Sequence, residues 1–158
     1  MTSDQSAESA ADVLDRELAN TKRDGIVTAA SVAVAVTGGF YLMGGLQLWS
    51  AVWLANLYEY VPWGLVGFGV LFLFLGSRIY SQRLRALLAA IVVVSLGALG
   101  TGAWAVTTML SGFLSLLGVL MPLASIAAAI LAGMAWGPCA RTAAARQRAA
   151  AAGIDLNL

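Results

Sequence analysis

Between Ile26 and Gly76 the chain carries one charged side chain, Glu59. A stretch of that length cannot be hidden inside a small soluble domain, whose surface needs polar and charged groups. The rest of the composition agrees: 60% of the 158 residues are hydrophobic and 11% are charged, against roughly 45–50% and about 25% in an ordinary soluble domain. Seventeen glycines, five tryptophans and a mean hydropathy of +0.84 fit a helical membrane protein, in which glycine is frequent and tryptophan gathers at the water interface. The expected fold is therefore an all-α integral membrane protein.

About 20 apolar residues at 1.5 Å each cross a hydrocarbon core of about 30 Å. Four segments meet this condition, at about 26–48, 62–78, 84–108 and 113–138. Spans two and three cannot be one helix, because Arg78, Arg83 and Arg85 lie between them. Each arginine costs about 2.5–3.5 kcal/mol at a helix centre, or about 8–10 together. The start of the fourth span is less defined: Pro122 either kinks a helix that begins near position 113 or opens the helix, leaving 109–121 at the interface. The organisation expected is an acidic cytosolic segment (1–25), a four-helix transmembrane bundle (26–138) and a basic, Ala-rich cytosolic tail (139–158).

The basic residues set the orientation. Arg16, Lys22 and Arg23 precede span one, Arg78, Arg83 and Arg85 follow span two, and Arg141, Arg146 and Arg148 follow span four. All nine fall on one side of a four-span arrangement, so the positive-inside rule predicts cytoplasmic N and C termini. Trp49, Trp53, Tyr58, Tyr60 and Trp63 fall on the other side, where amphipathic rings suit the headgroup layer. The stretch from Leu46 to Tyr60 reads as an extra turn or an interfacial helix, with Glu59 as a loop acid in water. One lysine against eight arginines, in an Ala-rich chain, points to a high-GC bacterial genome and so to a bacterial inner membrane.

Residues 1–24 hold six of the eight acids. Their polar, acidic character does not suit a signal peptide. Ala10, Val13, Leu14 and Leu18 recur at helical spacing behind Ser9, which predicts a short amphipathic helix, either solvated or docked on a partner through its narrow apolar stripe. The tail after Pro138 is rich in helix formers as far as Gly153, and its arginines can meet anionic headgroups or the acidic N-terminal segment.

Several chemistries have no raw material. No histidine is present, which removes imidazole ligation of haem or zinc and histidine acid–base work. The single cysteine, Cys139, offers no internal disulfide or thiolate cluster; it reads as an idle thiol, with juxtamembrane acylation as the alternative. A net charge of +1 gives no case for nucleic acid. No cofactor, metal site or catalytic residue is expected, because no ionisable group lies inside a span. Ser31, Thr37, Ser95, Thr101, Thr107 and Ser125 are expected to bond their own backbone or a neighbouring helix.

Small residues supply the remaining signal. Gly38 and Gly45 in span one, Gly97 and Gly102 in span three, and Ser125, Ala129 and Gly133 at four-residue steps in span four are candidates for close helix packing. Span two is expected to turn Phe68, Phe72 and Phe74 toward lipid or a partner. At an offset of 60, Pro62 falls on Pro122, which suggests two similar hairpins without further identity. The functional expectation is a non-enzymatic accessory or structural subunit that packs with other membrane proteins, with itself and with lipid. The alternative is a small-solute permease, channel or holin-like pore, with Thr37, Gln47, Ser95 and Thr101 along the path.

Overall fold

The computed structural model describes residues 12, 15, 24–55, 60–81, 83–110 and 116–151. It contains five helices: α1 (Gly25–Ala55), α2 (Tyr60–Tyr80), α3 (Leu84–Leu110), α4 (Leu116–Met134) and α5 (Trp136–Ala151). No strand occurs among the described residues. Four stretches are long and apolar enough to cross a membrane: Gly25–Trp49, Tyr60–Tyr80, Leu84–Thr107 and Leu116–Met134. The segments 1–11, 13–14, 16–23, 56–59, 82, 111–115 and 152–158 lie outside the described residues, and with them the predicted N-terminal stripe, Tyr58, Glu59 and the expected start of the fourth span near position 113.

Helix ends follow local chemistry. The α1 backbone starts where Val27 N–H meets Asp24 O at 3.1 Å, and the Asp24 carboxylate suits the positive end of the helix dipole. The helix then continues past the expected limit at 48 through Ala55, absorbing Trp53 into α1. Pro62 sits in the first turn of α2, where a missing N–H costs no intrahelical bond. At the other end of α2, Arg78 occupies the last turn and complements the negative dipole end.

Pro122 lies inside α4, six residues after its start at Leu116, so the fourth helix does not begin at that proline. Its other end comes at Met134, four residues before the expected limit at Pro138. The cause is Pro138 itself, which has no N–H to offer Met134 O. The chain turns at Ala135 and yet keeps its i→i−4 bonds on either side, Ala135 N–H to Leu131 O at 3.0 Å and Cys139 N–H to Ala135 O at 3.1 Å. Ala135 is thus hydrogen-bonded to both α4 and α5.

The tightest packing is between α1 and α2, which run antiparallel. Ser31, Gly38 and Gly45 recur every seven residues on α1, and Pro62, Gly69 and Gly76 do so on α2. Ser31 Oγ donates to Gly76 O at 2.8 Å. A Cβ on Gly38 would stand 2.8 Å from Gly69 O, one on Gly69 would stand 2.9 Å from Gly38 O, and one on Gly45 would stand 3.0 Å from Pro62 O. Backbone therefore meets backbone at three successive levels, where any larger residue would force the helices apart. A seven-residue step is the one that keeps a seam aligned between helices crossing left-handedly at about 20°.

The second pair, α3 and α4, closes the bundle, with α4 against α1 and α3 against α2. The core includes Val34, Tyr41, Phe72, Leu87, Val94 and Met121, all 1% exposed or less. Phe72 thus corrects the expectation for span two: it points inward and meets the Tyr41 ring edge-on, with centroids 4.9 Å apart. Phe74 does face outward, and Phe68 is partly exposed. Gly97 of α3 leaves the room for the Phe72 ring, since a Cβ there would stand 3.1 Å from Phe72 Cζ.

Candidate functional site

A cluster of hydroxyls lies in the middle of the bundle. Tyr41 of α1 is 1% exposed, and its Oη stands 3.3 Å from Thr101 Oγ1 of α3 and 3.2 Å from Ser125 Oγ of α4. Thr101 Oγ1 also donates to Gly97 O at 2.7 Å, and Ser125 Oγ to Met121 O at 2.9 Å. Three hydroxyls own three protons. With two of them directed at the backbone, Thr101 and Ser125 become acceptors, and the Tyr41 proton is shared between two nearly equidistant oxygens. One turn away, Thr37 Oγ1 lies 2.8 Å from Ala33 O in its own helix and 3.2 Å from Ala124 O in α4.

This arrangement ties α1, α3 and α4 together. Every buried side-chain polar atom among the described residues has a hydrogen-bond partner, as an interior without water requires. The cluster contains a phenol and aliphatic hydroxyls. It holds no carboxylate or imidazole that could act as a general base, and no set of three or more His, Cys, Asp or Glu groups is gathered among the described residues. Its chemistry is that of orientation: it fixes the rotation of three helices about their axes.

The predicted small residues divide into two sets. Gly38 and Gly45 lie buried in the α1–α2 seam, and Gly97 is buried where a Cβ would stand 2.8 Å from Tyr41 Oη and 3.1 Å from Phe72 Cζ. Gly102 is half-buried with open space above it, and Gly133 is exposed with open space. In α4 the buried face runs Met121, Ser125, Ala128, Ala132, so Ser125 points in, Ala129 lies at the margin and Gly133 turns out.

At one end of the bundle, Trp49 and Trp63 are exposed and stack with centroids 4.5 Å apart and planes tilted by 55°; Tyr60 beside them is 85% exposed. The opposite end gathers the described arginines. Arg141 Nη2 lies 3.8 Å from Asp24 Oδ2, and Arg146 Nη2 donates to Ser81 O at 3.4 Å. These contacts bring the start of α1, the α2–α3 turn and α5 to a common end. Arg78, Arg83, Arg85 and Arg141 are exposed there, whereas Lys22 and Arg23 fall outside the described residues. Cys139 is fully buried beneath this layer. Burial pushes its thiol pKa up, Arg146 pulls it back and Asp24 adds a smaller upward push.

Sequence reasoning missed Tyr41 and the pairing of Gly69 across the α1–α2 seam. The signal for Tyr41 was a lone phenol inside an otherwise apolar span; for Gly69 it was the seven-residue step Pro62, Gly69, Gly76. No family model matches the chain, and neither a curated protein nor a solved structure matches it significantly.

Proposed function

We propose that the chain is a non-enzymatic structural subunit of a membrane assembly, inserted in a bacterial inner membrane with both termini in the cytoplasm. The observation that carries this reading is the way the bundle uses its polar groups. The Tyr41, Thr101, Ser125 and Thr37 hydroxyls are all engaged inside, and the outward faces of α1 to α4 are apolar, as at Val36, Leu46, Leu99 and Ile130. What such a surface offers is shape. Gly64, Gly67 and Gly133 leave open notches on it, and in lipid close backbone approach is a main source of association.

The permease alternative draws on the same hydroxyls. Thr37 and Thr101, two of its four path residues, are 1% and 6% exposed and already bonded to backbone carbonyls, so a solute would have to displace those bonds. Purification in a native detergent tests the main reading: the expected result is a particle larger than the 16.3 kDa monomer, alone or with co-purifying membrane proteins. A monodisperse monomer with no companion overturns it. Solute flux through liposomes containing the pure protein alone would favour the permease instead.

A further inference from the structure

Arg78 lies in the last turn of α2, and its side chain folds back along the span. Its guanidinium carbon lies 5.1 Å from the centroid of the Phe74 ring, one helical turn back along the span. Phe74 is 53% exposed on the outer face of the bundle, so the cation rests on the side that meets lipid. Long basic side chains at helix ends ordinarily extend away from the hydrocarbon. Here the side chain lies toward it, over an aromatic face that attracts cations.

The neighbouring cations have a different status. Arg141 is paired with Asp24, and Arg146 is held by Ser81 O. Asp24–Arg141 is the one ion pair found among the described residues. Arg78, Arg83 and Arg85 stand exposed across one short turn, with no described carboxylate at ion-pair distance. This end therefore presents positive charge next to apolar surface, and a ligand that matches it carries an anion and an apolar tail. A phosphodiester carried on an acyl chain supplies both, and guanidinium suits phosphate because of its fork of donors.

We propose that the α2 end, centred on Arg78 with Arg83 and Arg85 beside it, is a binding site for the headgroup phosphate of an anionic phospholipid, whose acyl chain lies against Phe74. The site rests on the reading of the bundle as membrane-inserted. It does not depend on what the protein assembles with.

The test uses the full chain in detergent, mixed with equimolar phosphatidylglycerol and phosphatidylcholine and read by native mass spectrometry. The wild-type protein should retain phosphatidylglycerol preferentially. Arg78→Gln should lower that preference about fivefold, the factor expected for one basic contact with an anionic surface, Arg78→Lys should keep part of it, and Arg148→Gln, which removes a charge from α5 and leaves the α2 end intact, should lower it less. Millimolar inorganic phosphate should not compete, since it lacks the acyl chain. Four results overturn the proposal: no lipid preference in the wild type, an unchanged preference in Arg78→Gln, an equal loss in Arg148→Gln, or displacement by inorganic phosphate. A preference that emerges only after residues 1–20 are deleted also overturns it, because the arginines then serve the chain's own acids. If Arg78→Gln does not fold, the wild-type lipid competition and the phosphate arm still decide. Micelle binding is independent of orientation and of partners, so its failure is separable from a failure of the assembly reading.

Discussion

The Tyr41 proton has two acceptors and can satisfy one of them at a time, which limits what its removal costs. In Tyr41→Phe, Thr101 and Ser125 keep their bonds to Gly97 O and Met121 O. The expected loss is therefore about 0.5–1.5 kcal/mol, the range of single interhelical hydrogen bonds in membranes, measured as a lower midpoint of thermal unfolding in detergent with the helix content retained. Gly97→Ala acts on the same atoms from the other side, since the added Cβ would meet Tyr41 Oη at 2.8 Å; overpacking of this kind costs about 1–3 kcal/mol. Gly133→Ala meets nothing within 4 Å and should be neutral or stabilising by up to about 1 kcal/mol, the helix-propensity gain of alanine over glycine. If both alanine variants shift the midpoint equally, the cluster is not as tightly packed as described.

Cys139 makes a separate residue-level prediction. Its folded-state pKa is raised, chiefly by burial, so the folded chain binds the thiol proton more tightly than the unfolded chain does. The associated stability is fully present below the unfolded thiol's pKa and is lost as pH rises through the folded value. Unfolding scans should show an alkaline decline that Cys139→Ser reduces, and a maleimide should label the native thiol slowly and the unfolded one fast. Rapid labelling of the native protein at neutral pH would contradict its burial.

Among the elements, the α1–α2 pair is where a small change should do most damage. Gly69→Val places a branched side chain where even a Cβ would come within 2.7 Å of the Leu42 side chain and 2.9 Å of Gly38 O; Leu42 can turn aside, but the Gly38 backbone cannot. It should separate the helices and prevent recovery of a monodisperse protein, whereas Gly67→Val, with open space around it, should purify normally. The four long apolar helices were readable in the sequence because runs of about 20 apolar residues have few other uses. The seam was written there too, at 31, 38, 45 and 62, 69, 76, but 17 glycines create many accidental spacings. Four-residue steps pick out Ser125, Ala129 and Gly133, of which one is buried. Phe72 shows a related limit: aromatic residues in an apolar span give no periodic contrast between lipid and core, so the neighbouring helices decide which ring turns inward. Tyr41 gives no local signal of its role, because its neutral hydroxyl acquires partners only from Thr101 and Ser125, on helices distant in the sequence.

For the whole molecule, the arginines and the Trp49–Trp63 pair occupy opposite ends, which turns the orientation into a direct experiment. In a Cys139→Ser background, single cysteines placed at Glu59 and Ser81 should label from opposite sides of sealed vesicles, with position 81 on the cytoplasmic side. Labelling of both from one side would refute the four-span reading. The antiparallel seam also bears on how such a chain is made. Its six positions all lie between Ser31 and Gly76, so the first hairpin contains its complete interface before any of α3 has been synthesised. Tyr41, carried on that hairpin, meets Thr101 and Ser125 only when the second half arrives. Vectorial synthesis, which delivers N-terminal parts first, thus matches the order in which the contacts become available: the first hairpin carries its own interface, and its one phenol is the docking gauge for the helices that follow.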